Sequence, residues 1–235
     1  MKEYKYQIHV HTAPCSACGR MTPSELCRAL YENGYQGTVI TNHFYHGNSG
    51  IDRSEATSWE EFVSEYEKDY LLCVEEAKKF DLDIIFGIEE GVFPGIEILC
   101  YGITPEILYK NPQLRNCCFE DLIKTMRENG VVVIQPHPFR EADYIPEPRR
   151  LPLEYIDGIE IYNGGNSREE MNDKAVDFAN EHPSLIKTSS ADAHTPDRVA
   201  IGGIKTRVRI KTPAELAKIL KNGDFEPILN QKTEE

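Results

Sequence analysis

Short apolar, β-branched runs alternate along this chain with longer stretches of helical periodicity. Residues 6–10, 38–41, 83–87, 96–101, 158–162, 185–189 and 205–210 read as strands, and 131–135 reads as a buried one. Between them, Thr22-Pro23-Ser24-Glu25 supplies an N-cap, a first-turn proline and the acidic residue that completes a capping box. The helix it opens runs to Asn33-Gly34, a natural C-cap. Phe62, Tyr66, Tyr70 and Cys73 recur every three to four residues within 59–80, the spacing of one helix face. Further helices are predicted over 119–129, ended by Gly130, and over 168–181. Thr212-Pro213-Ala214-Glu215 opens a last helix with a second capping box. This alternation predicts parallel pairing and an α/β fold. About seven such units favour closure into a barrel over an open sheet. No repeat or low-complexity linker interrupts the pattern, so residues 1–235 are expected to form a single domain.

In an α/β barrel the functional residues gather at the carboxyl ends of the strands. That is where the chemistry-bearing residues of this chain fall. His9 and His11 close the first run, and His43 follows the second. Glu89, His137 and the pair Asp192 and His194 each follow a later strand. Imidazole and carboxylate are the ligands of Zn, Mn and Fe sites. A lone histidine after a strand is commonly a hydrogen-bonded structural residue, but five placements on one face point to a metal centre. His46, in a Gly/Asn loop, and His182, at a helix end before Pro183, read as surface residues.

Composition narrows the setting. The chain has 235 residues, 40% hydrophobic and 28% charged, ordinary for a globular protein with a sizeable core. No apolar stretch approaches the roughly 20 residues that span a bilayer, and Met1 to Lys5 lead straight into a strand. A cytoplasmic protein with no membrane partner is therefore expected. The seven cysteines are odd in number, which in that compartment argues against a disulfide framework. Cys27, Cys73 and Cys100 lie in apolar patterns as core thiols. Cys15-x-x-Cys18 is a redox pair or half of a zinc site, although the remaining pair, Cys117-Cys118, has the wrong spacing for a zinc ribbon. A net charge of −13 repels a polyanion at long range. Long nucleic acid is thus not an expected partner, while a small phosphorylated substrate drawn by local metal charge is. No pattern specifies an oligomeric state.

Taken in order, Ile8-His9-Val10-His11-Thr12, Thr41-Asn42-His43, Gly87-Ile88-Glu89, Pro136-His137-Pro138 and Ser190-Ala191-Asp192-Ala193-His194 resemble the motifs of the polymerase and histidinol phosphatase (PHP) family. The resemblance spans the chain to about Lys211. It implies a distorted seven-stranded (β/α) barrel, TIM-barrel-like, with two or three divalent metal ions (Zn, Mn or Fe) in a cleft at its carboxyl end. Carried onto matching positions, His9 and His11 bind one metal with Glu89 and Asp192. Glu89 bridges to a second metal that His137 also holds, and His43 and His194 hold a third. The chain departs from the family at three places. Asn42 stands where many members have Asp, and Ala17 where many have His, unless Cys15 or Cys18 substitutes there. Glu97 replaces a further His and, as an oxygen ligand, shifts preference from Zn toward Mn or Fe.

The implied activity is a metal-dependent phosphoesterase, in which a metal-activated hydroxide attacks a small soluble phosphoester. Asp192 and His194 take catalytic roles. Arg140, three residues after His137, is the candidate guanidinium for bidentate phosphate binding. Arg20 and Arg198 are further loop arginines. Asn163 either contacts substrate or serves its turn, and Arg149-Arg150 either meets a second phosphate or is an exposed basic pair. The competing functions are a non-catalytic, regulatory metal-binding PHP domain and an amidohydrolase-like activity, though the bridging lysine usual in the latter has no obvious position.

Overall fold

The computed structural model describes residues 2–229; residues 1 and 230–235 of the expected domain lie outside the described residues. One sheet of nine strands organises the chain, in the order β7-β6-β5-β4-β3-β2-β1-β8-β9. The strands are β1 (Tyr4–Gln7), β2 (Gly37–Ile40), β3 (Asp83–Phe93), β4 (Ile96–Tyr101), β5 (Val132–Gln135), β6 (Gly158–Asn163), β7 (Ile186–Ser190), β8 (Ile204–Thr206) and β9 (Phe225–Pro227). The helices are α1 (Pro23–Glu32), α2 (Trp59–Ala77), α3 (Pro105–Lys110), α4 (Phe119–Glu128), α5 (Glu170–Glu181) and α6 (Pro213–Asn222). None of the described helices is long and apolar enough to cross a membrane.

The sheet curls until the ends of its first and seventh strands meet. Val10, just past β1, forms a parallel bridge with Ala193, just past β7. The His11 amide donates to the Ala193 carbonyl at 2.9 Å, and the Ala193 amide to the His9 carbonyl at 3.2 Å. This seam makes the sheet nearly a closed barrel, and it carries four of the expected ligands.

Two expectations need correction. The described residues form nine strands, not seven, because β8 and β9 add antiparallel beyond β1. Pairing is also mixed. β1–β2, β2–β3, β5–β6 and β6–β7 are parallel, but β4 runs antiparallel to both its neighbours. The cause is local: β3 and β4 form a hairpin about Pro94-Gly95, where Gly95 takes the left-handed conformation (φ 73°) that a side chain disfavours. Two-residue turns of this kind join antiparallel strands, whereas a parallel partner needs a long crossover. The hairpin also lengthens β3, so Glu89 sits inside a strand and not after one.

The capping boxes form as predicted at Thr22/Glu25 and Thr212/Glu215, and a third forms at Ser58/Glu61. Helix α6 packs its Leu216, Ala217, Ile219 and Leu220 against Tyr6, Ile8, Leu99, Tyr101 and Ile134 in one buried cluster. A second cluster sets α2 and α4 against Phe86, Ile88, Ile98 and Val133. These clusters surround the sheet with apolar residues, and most of the buried histidines and acids gather instead at the carboxyl ends of the strands.

Candidate metal centre

Buried polar residues crowd those strand ends. His9 and His11 are fully buried, Glu89 is 1% exposed, and His43, His137 and Asp192 are buried as well. His194 and Glu97 lie at the rim. The eight residues arrive on six segments: the extension of β1 (His9 and His11), the residues after β2 (His43), β3 (Glu89), β4 (Glu97), and the turns after β5 (His137) and β7 (Asp192 and His194). His137 and Asp192 hold positive φ, at 32° and 52°. That conformation costs about 1–3 kcal/mol for a non-glycine residue and persists where the surroundings over-determine it.

Glu89 is the hub. Its Oε1 stands 3.1 Å from His9 Nε2 and 3.5 Å from His137 Nε2, and its Oε2 stands 2.9 Å from His43 Nδ1 and 3.3 Å from His11 Nε2. Asp192 Oδ1 faces His11 Nε2 at 3.2 Å and His9 Nε2 at 3.4 Å. Glu97 reaches His43 Nδ1 at 3.2 Å and His137 Nε2 at 3.5 Å. These approaches are close but poorly directed. Neither Glu89 oxygen nor His43 Nδ1 makes a hydrogen bond, although all three atoms are buried. Burying such groups unpaired is costly. Donor atoms bound to one cation at about 2.1 Å stand roughly 3.0–3.4 Å apart, and that is the spacing here.

Three sets of donor atoms converge tightly enough to surround an ion: His9, His11 and Asp192; His43, Glu89 and Glu97; and His11, His43 and His194. His137 joins through its contacts with Glu89 and Glu97. All eight residues expected as ligands are therefore brought together. Charge tells the same story. Burial would push the Glu89 and Asp192 carboxyls up, but His9 beside both, with His43 and Arg140, holds them well below the usual range. His9 and His43 are pushed upward by these carboxylates despite burial, while burial and the nearby His43 push His11 down to about 3. In the absence of cations the cluster balances its carboxylates with imidazole protons, and divalent ions would take their place.

The supporting residues include one that the sequence reading missed. Glu160, buried in β6, receives His9 Nδ1 at 3.0 Å, the His137 amide at 3.1 Å, Asn163 Nδ2 at 2.6 Å and the Ser190 hydroxyl. Accepting from Nδ1 fixes the proton there, so Nε2 is the nitrogen that would give up its proton to bind a cation. His194 Nδ1 is likewise tied to the Asp192 carbonyl at 2.9 Å. A lone acid in the apolar run Gly158-Ile159-Glu160-Ile161 was the available signal.

Arg140 bonds Asp192 Oδ2 at 2.7 Å and Asn163 Oδ1 at 2.8 Å through Nη2, and Asn166 through Nε. Asn163 thus serves the arginine and Glu160. Gly165 packs here because a β-carbon would stand only 3.0 Å from Arg140, Asn163 and Asp192. Arg20 presents its amide to the His194 carbonyl, and Arg198 bonds the Gly164 carbonyl. Arg149 lies over the Phe93 ring, and Arg150 over Phe139 and Phe178. His46 is exposed, and His182 rests on Phe178. Cys27, Cys73 and Cys100 are buried, and so is Cys15. Cys18 instead faces His43 and His194, whose hydrogen bonds outweigh burial and bring its thiol down to about 6.

The cluster opens into a cleft of about 940 Å³. His43, His137, Arg140 and His194 line it together with the apolar Phe93, Leu114, Phe119 and Leu122. Glu90, also on the cleft wall, is pushed up to about 8, chiefly by burial. A carboxyl raised in the folded state from 4.5 binds its proton more tightly than in the unfolded chain. Its contribution to stability is present below the unfolded value and is lost as pH rises from about 4.5 to 8. Glu90→Gln is therefore expected to flatten the decline in metal-free melting temperature over that window, measured by calorimetry.

No family model matches the sequence, and no curated protein does. Solved structures do match. One is a two-domain protein from Bacteroides vulgatus containing a predicted PHP-like metal-dependent phosphoesterase, with a TM-score of 0.69 at 14% identity over 97% of this chain. The chain spans 65% of that protein's length. A second is the lesion-specific endonuclease PfuEndoQ from Pyrococcus furiosus, with a TM-score of 0.63 at 15% identity, over 97% of this chain and 58% of that one. A third is an amidohydrolase from Chromobacterium violaceum, with a TM-score of 0.58 at 15% identity, over 99% and 100%. At these identities the likeness is one of fold.

Proposed function

On the premise of a PHP-like fold, we propose that this chain, acting as a single domain, is a metal-dependent phosphoesterase. His9, His11, His43, Glu89, Glu97, His137, Asp192 and His194 would hold two or three divalent ions, Zn, Mn or Fe. Such ions supply Lewis acidity toward a phosphoryl oxygen and lower the pKa of a bound water. The observation that carries this reading is the pair of unbonded Glu89 oxygens, buried among the nitrogens of four imidazoles.

The chain's own residues complete the site. Glu160 and the Asp192 carbonyl orient His9 and His194. Arg140 holds Asp192 in place and lines the cleft, where a guanidinium edge suits a phosphate. His194, the most exposed imidazole of the set with 31% of its side chain accessible, would face the substrate and assist the leaving oxygen. A cleft of about 940 Å³ falls within the size of small-molecule sites. With a net charge of −13 it favours a small phosphoester over long nucleic acid. The amidohydrolase likeness does not alter this preference, because no lysine is among the residues that line the cleft.

The test is an assay of the purified chain with Mn, Zn and Fe against p-nitrophenyl phosphate and a panel of phosphate monoesters and diesters. Metal-stimulated release from at least one is expected; none from any would defeat the proposal in favour of a regulatory metal-binding domain. Arg140→Lys keeps the charge but cannot reach Asp192, Asn163 and Asn166 together. It is expected to lower kcat/KM by about 10–100-fold, read by steady-state kinetics on the best substrate.

A further inference from the structure

Asn42, where many PHP members carry Asp, is hydrogen-bonded at all four of its positions. Its Oδ1 accepts from the Thr12 amide at 2.7 Å and the Ser16 hydroxyl at 2.9 Å. Its Nδ2 donates to Thr12 Oγ1 at 2.8 Å and to Asp69 Oδ2 at 2.9 Å. The orientation of the amide is forced, because a backbone N–H can only donate and must therefore meet the oxygen. Nδ2 then faces Asp69, a buried acid from the middle of α2. An aspartate at 42 would set two carboxylates about 2.9 Å apart in a buried site.

The same logic continues through Ser16. The His43 amide donates to Ser16 Oγ at 2.9 Å, and Oγ spends its only proton on Asn42 Oδ1. Its remaining capacity is as an acceptor, and His11 Nδ1 lies 3.1 Å away. His11 must then carry its proton on Nδ1. Its Nε2, which faces Glu89 and Asp192, is left with a bare lone pair.

We propose that Asn42 and Ser16 are positioning residues that fix the tautomer of His11 for cation binding, and that Asp69 is the anchor that requires an amide at position 42. Asn42 is thus matched to Asp69 in this chain and is not by itself a sign of decayed chemistry. The inference rests on the metal-binding part of the proposed function and not on the phosphoester step. Its test uses no substrate, so a failed esterase assay and a failed tautomer are separate results.

In the ¹⁵N-labelled full chain without metal, long-range proton–nitrogen spectra are expected to show His11 protonated at Nδ1 alone. Ser16→Ala should give a mixture of tautomers and weaken zinc binding, read by chelator competition, by about 10–100-fold. Asn42→Asp should weaken it similarly, and Asn42→Asp with Asp69→Asn should return it to within about threefold of the parent. Protonation of His11 at Nε2 in the parent, unchanged affinity in Ser16→Ala, or a double variant no better than Asn42→Asp would each overturn the proposal. Should Asn42→Asp fail to fold, the Ser16→Ala spectra and affinity decide alone.

Discussion

Glu89→Gln is expected to remove at least one cation per chain and to lower kcat/KM by at least about 10³-fold, since loss of a residue that merely orients a ligand already costs 10–100-fold. The reason is its place at the centre of the cluster. Its two oxygens stand within 3.5 Å of nitrogens on His9, His11, His43 and His137, so one side chain belongs to more than one donor set. An amide keeps the shape but halves the oxygen count and removes the charge that cations would neutralise. Elemental analysis after dialysis reads the first effect and kinetics the second; circular dichroism should remain that of the parent. A Glu89→Gln protein that kept its full metal content would refute the assignment. Metal loading of the parent should also release protons, because His9 and His43 carry them in the metal-free cluster.

Glu160→Ala should produce the largest loss of stability. Its carboxylate receives His9, the His137 amide, Ser190 and Asn163, and every one of these donors is buried. Breaking a buried charged network from one side costs about 3–5 kcal/mol, which lowers the melting temperature by on the order of 10 °C in a domain of this size. Glu160→Gln should melt closer to the parent yet still bind zinc about 10–100-fold more weakly, because an amide cannot accept from all four donors and His9 loses its fixed tautomer. If both variants matched the parent in melting and affinity, Glu160 would have no part in holding the centre.

Much of this arrangement was legible in the chain because ligands at strand ends leave a regular trace. His9, His11, His43, His137, Asp192 and His194 each follow an apolar run, and a barrel brings such positions to one rim. Glu97 was legible through the family pattern alone, since it lies within β4, where a single acid has no special meaning. Glu160 and Asp69 were not found. Both are acids in the interior of regular elements, where partners distant in sequence decide whether a charge is buried. The mixed sheet was missed for a different reason. Strand–helix alternation dominated the pattern, and the short turn Pro94-Gly95, which reverses the chain, is only two residues long. Ser16 gave no signal of its own, because a hydroxyl becomes informative only when its three neighbours in space are known.

The seam between Val10 and Ala193 also bears on how the molecule is assembled. The two residues are separated by most of the chain, so this pairing has a high loop-closure cost and belongs to the slow, non-local part of folding. His9 and His11 lie on one side of it, Asp192 and His194 on the other. Until the seventh strand docks, the set of His9, His11 and Asp192 is incomplete, whereas His43, Glu89 and Glu97 need no residue beyond the seam. Capture of an ion at the first set is then a late event in the life of the nascent chain, and an ion that bridges the seam would act as a clasp on the finished barrel.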